Sequence, residues 1–271
     1  RVVSFDVDDD VFGESQVNLF ATDTDGGTVS DSFNFIIDSV NDTPYFETTI
    51  SSDITMIEDG FLSISFTAND IDIDSNSQFL RYSIEQDNSD LVDVSISSLS
   101  KGREGFLNLS LLDDQFGTDN IVITLYDSYG STIANSASVT TSISLTVLAV
   151  NDAPYVEFDS SVNLIQTHLE DELDPVTLNL LTAFSVGPDN ESDQTYYFDV
   201  STNYTALFSE LPAIDAGGEL SYTLTSNVAG LARVTVNMID SGAALTYEDV
   251  TYDDSTYGPL VFEIDLKLNV G

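Results

Sequence analysis

The string VNDTPYF at Val40–Phe46 returns as VNDAPYV at Val150–Val156, a spacing of 110 residues. Neither copy suits the interior of a helix or a central strand. Proline lacks an amide donor and biases the residue before it towards extended backbone. Each copy therefore reads as a stiff, extended linker, and the chain as a series of repeats.

A second register runs through the same sequence. Upstream of each expected linker a glycine opens an apolar alternation that closes on an aspartate: GESQVNLFATDTDGG from Gly13, GTDNIVITLYDSYGS from Gly117 and GLARVTVNMIDSGA from Gly230. Asp23, Asp127 and Asp240 each follow their glycine by ten positions. The inward sets keep step as Val17/Leu19/Ala21, Ile121/Ile123/Leu125 and Val234/Val236/Met238. Alternation with period two marks half-buried strands. The repeat divides the chain into residues 1–42, holding the last three strands (E, F and G) of a partial unit, and two complete units at 43–152 and 153–271. The last of these ends in an alternating strand through Phe262, Ile264, Leu266 and Leu268. Within 43–152 strands are predicted near 45–57, 61–68, 79–86, 91–97, 105–112, 120–127 and 136–149. Seven short strands between turn signals predict an all-β fold of tandem Greek-key sandwiches, and no segment carries a helical period.

Composition narrows the function. The 271 residues are 42% hydrophobic, which is enough for real cores despite a formal charge of −41. Forty-seven acidic residues face six basic ones, Arg1, Arg81, Lys101, Arg103, Arg233 and Lys267. Such a surface repels phosphate backbones and anionic membranes, so neither nucleic acid nor direct membrane insertion is expected of this chain. There is no cysteine, hence neither disulfides nor thiol chemistry. The sequence shows no signal peptide and no apolar run long enough for a bilayer. It starts in a strand-like stretch and is expected to be a piece of a longer exported protein.

If seven strands alternate in direction, their loops sort to two ends and the carboxylates gather at the linkers. Around the first linker stand Asp9 and Asp10, Asn41 and Asp42, and the B–C loop acids Asp70, Asp72 and Asp74. Around the second stand Glu58 and Asp59, Asp113 and Asp114, Asn151 and Asp152, and Asp189, Glu191 and Asp193. Calcium takes six to eight oxygen ligands in a flexible geometry and suits this donor set. Magnesium demands a stricter octahedron, and zinc would want His or Cys where only His168 is offered. The competing reading is that of solvated turns, since aspartate is a favoured turn residue.

Other features read as follows. Asp23, Asp127 and Asp240 are expected as turn formers, and His168 as a turn or surface residue beside Glu170. The segment 241–258, with Tyr247, Glu248, Asp249, Asp253, Asp254 and Tyr257, is an F–G insertion: a binding loop for a protein or glycan, or an acidic decoration. Asn-x-Ser/Thr strings at Asn41, Asn108, Asn190 and Asn203 are expected by chance in a chain so rich in serine and threonine. Nothing pairs a nucleophile with a base, and carboxylates in open loops are poor glycosidase candidates, so no enzyme is expected.

These motifs resemble cadherin-like repeats of bacterial surface proteins and adhesins, including the dystroglycan-type variety. The resemblance rests on Asn-Asp-x-Pro-x-Phe at 41–46, the Glu-Asp-Gly turn at 58–60, the Asp-rich B–C loop, ATDTDGG at 21–27 and LNLLTAFSVGPDNESDQTYYF at 178–198. It implies Ig/cadherin-like sandwiches, calcium between domains, a stiffened rod and an extracellular, cell-surface setting. The linkers depart from the fuller family pattern. They lack its second asparagine, and the leading aspartate is displaced to Asp38 in one and absent from the other. The last unit's E–F loop, Ser226–Ala229, carries no acid, so a site there would rely on Glu170 and Asp171. The expected function is a calcium-stiffened extension module of a surface adhesin or fibre. A self-assembling filament or sheath subunit, and an adhesin domain binding a surface protein or glycan, are the alternatives.

Overall fold

The computed structural model describes residues 2–74, 78–129, 137–169, 172–252 and 254–267. The chain forms two compact units, Arg1–Leu112 with Thr118–Thr146, and Asp113–Gly117 with Val147–Gly271.

The first unit opens with a hairpin, β1 (Gly13–Thr22) and β2 (Thr28–Ile37), paired antiparallel from Gly13↔Ile37 to Thr22↔Thr28. Its turn is held by Asp23, whose Oδ1 accepts the N–H groups of Gly27 at 2.7 Å and Asp25 at 3.0 Å. Three strands were predicted for residues 1–42, but among the described residues this stretch holds two. Residues 2–12 form no ladder; instead Phe5 stacks on Phe35 and meets Phe33 edge-on. Leu19 is 43% exposed, so the set Val17/Leu19/Ala21 does not lie in a core. The alternation is present but no facing sheet among the described residues covers it.

The sandwich that follows is built from two sheets. One takes β3 (Tyr45–Phe46), β5 (Phe61–Asn69), β8 (Glu104–Leu111) and β7 (Val92–Leu99) in that order; the other takes β4 (Asp53–Ile57), β10 (Ser138–Leu148), β9 (Gly117–Tyr129) and β6 (Gln78–Gln86). The strand predicted at 45–57 is thus split, its two halves pairing in different sheets. An edge strand makes that switch by bending between its halves, here over residues 47–52, which belong to neither strand. Leu107, Leu109, Ile121, Ile123, Leu125, Ile143 and Leu145 are fully buried between the sheets. Gly105 lies under the ring of Phe66 on the neighbouring strand, where a Cβ would collide with it.

The second unit repeats the plan with β11 (Tyr155–Phe158), β12 (Ile165–Leu169), β13 (Val176–Asn179), β14 (Leu181–Ser185), β15 (Tyr196–Thr202), β16 (Phe208–Ile214), β17 (Glu219–Leu224), β18 (Gly230–Asp240), β19 (Leu245–Tyr247), β20 (Val250–Tyr252) and β21 (Thr256–Lys267). Its sheets run β12-β21-β18-β15 and β13-β17-β16, with β11 paired to β14. Here β12 runs parallel to β21, while β18 lies between β15 and β21 and pairs antiparallel with each. Leu180, Leu207, Leu220, Tyr222, Leu224, Ala232, Val234 and Val236 form the core. Counting each split strand once and setting aside the hairpins β1–β2 and β19–β20, both sandwiches are seven-stranded Greek keys, and the fold is all-β with three single-turn 3-10 segments among the described residues. No helix among them is long and apolar enough to cross a membrane.

The F–G insertion forms a separate hairpin, β19–β20, turning through Glu248 (φ 49°) and Asp249 (φ 65°). Asp253, Glu170, Asp171 and Leu268 lie outside the described residues.

Candidate cation sites

In the first unit the linker is drawn against the B–C loop. Asp42 donates its backbone N–H to Asp72 Oδ2 at 2.9 Å, and Asp72 donates its own to Asp70 Oδ1 at 2.7 Å. The loop folds this way because an aspartate readily accepts from the N–H two residues on, closing a tight turn. Asp70 and Asp72 are thereby buried, at 2% and 4% exposure, and Asp127 arrives from the end of β9 at 1%. Asp70 Oδ2 is buried and accepts no hydrogen bond from the described residues. Burial pushes the Asp70 carboxyl above its usual range. The neighbouring charges of Asp127, Asp72 and Asp42 add to that push, against the Asp72 N–H. Asp42 is raised for the same reasons, desolvation first and then the charges of Asp10 and Asp72.

The remaining predicted ligands of this group lie nearer the surface. Asp9 and Asp10 are exposed, Asp10 at a left-handed turn position (φ 59°). Asp74 turns outward to Arg103, at 2.7 Å, and Lys101, at 3.8 Å. The Arg103 hydrogen bond holds its carboxyl below the ordinary value. The alternation Asp70-x-Asp72-x-Asp74 thus does not put three carboxylates on one face. The chain turns at residues 71–74, and the two basic side chains take the third.

The second unit carries a second linker cluster. Asp152 donates its N–H to Glu191 Oε1 at 3.2 Å. Glu191 closes a single-turn 3-10 segment, Asp189–Glu191, with only this last residue turned inward at 7% exposure. Asp189 and Asp193 beside it are exposed. Gly187 leaves the room Glu191 occupies, since a Cβ there would collide with its carboxylate. Burial raises the Glu191 carboxyl, with Asp152 and Asp240 adding repulsion against the donors Asp152 N–H and Gln194. Glu191 Oε2 and Asp240 Oδ2 are buried without a hydrogen bond from the described residues. Asp114 and Asp152, both in this unit, present oxygens within 4.8 Å of each other; Asp113 is exposed. Glu58 and Asp59 belong to the first unit, Glu58 at 5% exposure and Asp59 at a left-handed position (φ 61°).

Asp127 and Asp240 are not simple turn formers. Each anchors a linker asparagine: Asn41 Nδ2 donates to Asp127 Oδ2 at 2.6 Å, and Asn151 Nδ2 to Asp240 Oδ1 at 3.1 Å. A signal for this was present. Continuing Ile121/Ile123/Leu125 and Val234/Val236/Met238 by one more step of two lands on Asp127 and Asp240, so parity alone aims both inward. Asp23 shares that parity but closes the β1–β2 turn. Gln78 and Gln194, which hold the same asparagines, were missed because they stand at unlike distances from their linkers. His168 is not a surface residue: it lies on β12, its ring 2.9 Å from the buried Tyr222 hydroxyl and 3.4 Å from Glu172.

Fold and clusters together define tandem β-sandwiches whose linkers are gripped by buried carboxylates at the start of the following sandwich. No family model matches the chain, and no curated protein matches it. Among solved structures it is similar to the extracellular domain of protocadherin gamma-B4, at 17% identity and TM-score 0.40 over 94% of this chain and 38% of that one. It is also similar to mouse cadherin-23 EC22-24, at 17% identity and TM-score 0.41 over 94% and 74%. An I-band fragment of titin matches at 13% identity and TM-score 0.29, over 95% and 75%.

Proposed function

We propose that the chain is a calcium-stiffened extension module of an extracellular surface adhesin or fibre, divided as 1–42, 43–152 and 153–271. The observation that carries this reading is Asp70 Oδ2. It is a carboxylate oxygen at a residue 2% exposed, facing the charges of Asp42, Asp72 and Asp127, and no described residue donates to it. Several anionic oxygens buried side by side repel one another unless protons or a cation neutralise them. The acidic surface offers almost no lysine or arginine for the purpose, and the two that stand nearby are spent on Asp74.

The donor set is all oxygen and mostly carboxylate, which fits calcium and neither zinc nor a thiophilic metal. Asp42, Asp70 and Asp72, with Asp10 at the rim, would hold an ion in the first unit. Asp114, Asp152 and Glu191, with Asp113, would do so in the second. A bound cation supplies positive charge, cancels the repulsion and holds the linker to the loops. Extracellular fluid provides calcium at the concentrations that open, loop-built sites require.

Calcium titration by calorimetry, with melting in calcium and in excess chelator, tests the reading. Saturable binding and a higher melting temperature in calcium are expected. A melting temperature indifferent to chelator, with no heat of binding, would sink it.

A further inference from the structure

We infer that Gln78 and Gln194 are the keys of a metal-independent clamp that fixes each linker to the sandwich it enters. Gln78 Nε2 donates to Asn41 Oδ1 at 2.6 Å, and Gln194 Nε2 donates to Asn151 Oδ1 at 2.8 Å. The same asparagines donate their amide N–H groups to Asp127 and Asp240. They also donate to the backbone carbonyls of Asp42, at 3.2 Å, and Asp152, at 3.3 Å. The chemistry permits one orientation. A carboxylate only accepts, so the asparagine must turn its NH2 to the aspartate and its oxygen the other way, where only a donor can meet it. Glutamine offers that donor; a glutamate of the same length would set acceptor against acceptor.

The pattern is repeated without being copied locally. Gln78 stands 37 positions from Asn41 and Gln194 stands 43 from Asn151, while the aspartates stand 86 and 89 away. Two loops of different length have thus converged on one three-residue network. Each aspartate is further tied to its own F–G return, Asp127 Oδ1 accepting from Ala137 N–H at 2.8 Å and Asp240 Oδ1 from Gly242 N–H at 2.9 Å. The ends of β9 and β18, the glutamine that opens β6 or precedes β15, and the linker asparagine therefore meet in one network of neutral donors around a buried carboxylate. With the asparagine held, the next residue's N–H is delivered to Asp72 or Glu191. The second clamp is the drier, with Asn151 at 4% exposure and Asn41 exposed.

The inference does not rest on calcium, and its test is made without it. Amide exchange of the full chain in excess chelator should find the N–H groups of Asp42 and Asp152 protected. Gln78→Ala should lower protection of Asp42 at least tenfold and leave Asp152 unchanged. Gln194→Ala should do the reverse. Amides of Leu107 and Leu125 in the first core, and of Leu220 and Val234 in the second, report whether the sandwiches stay folded. Where an alanine variant unfolds, Gln→Met, of similar volume but without a donor, is read in its place. Free exchange of Asp42 and Asp152 in the unaltered chain, or wild-type protection in the Met and Ala variants, would overturn the clamp.

Discussion

The carboxylate of Asp72 accepts the backbone N–H of Asp42, 2.9 Å away across thirty positions of sequence, whereas Asp74, two residues on, faces Arg103 at 2.7 Å. The B–C loop thus divides its acids between the linker and the two basic side chains beside it. Neutralising the first should matter to a bound cation and neutralising the second should not. Asp72→Asn is expected to weaken calcium binding in the first unit about tenfold, the worth of one charge-assisted ligand. Asp74→Asn is expected to leave it within about twofold, because that charge is already answered by Arg103. Calorimetric titration of the two variants side by side checks this; equal losses would show that Asp74 is a ligand after all.

Asp42, Asp70 and Glu191 have carboxyls raised by burial and like charge, which gives stability a signed dependence on pH. A carboxyl whose pKa is higher in the folded than in the unfolded state binds more protons when folded. Stability contributed this way is full below the ordinary values of 3.8 for Asp and 4.5 for Glu, and is lost as pH rises through the raised values. In chelator the contribution of these groups to the melting temperature should therefore grow as pH is lowered towards those ordinary values. In calcium the trend should reverse, because ligands must be ionised to bind the metal. The two melting curves should converge on acidification, and parallel curves would count against both statements.

Leu125 is fully buried at the end of the β9 inward set, while Leu19, the leucine of the matching β1 set at the place where Ile123 stands on β9, is 43% exposed. Leu125→Ala should cost about 2–5 kcal/mol through lost burial and the cavity left behind. Leu19→Ala should lie within about 0.5 kcal/mol of wild type, as surface changes do. Urea unfolding of the full chain measures both, and a large loss at Leu19 would mean that its face is covered in solution.

The sandwiches were legible because their information is periodic. Ile121/Ile123/Leu125 and Val234/Val236/Met238 alternate cleanly, and Asn-Asp-x-Pro cannot lie inside a strand. The same alternation failed at Val17/Leu19/Ala21, since period two shows which side would be buried and not whether anything lies opposite. At the site, the acids Asp70, Asp72 and Glu191 were visible as charge. Their sorting was not, because a turn at 71–74 and a single 3-10 turn decide which carboxylates face inward. Gln78 and Gln194 carry no charge and keep no common spacing to their linkers. Only the folded chain brings them to Asn41 and Asn151.

Gly242 provides the sharpest local test of the second linker. Its amide donates to Asp240 Oδ1, and a Cβ at this position would collide with the side-chain amide of Asn151. Its backbone is not in the left-handed region that favours glycine, so an alanine there is objectionable for space alone. Gly242→Ala should force Asn151 away from Asp240 and Gln194, leaving the buried Asp240 carboxylate short of a donor. Overpacking and the lost hydrogen bond together should cost about 2–4 kcal/mol. The loss should be confined to the second unit and accompanied by faster exchange of the Asp152 amide. Gly242→Ala combined with Asn151→Gly removes the obstructing side chain; it should cost less than the sum of the two single changes, because both destroy the same contact. Strict additivity in urea unfolding would place Gly242 outside the Asn151 network.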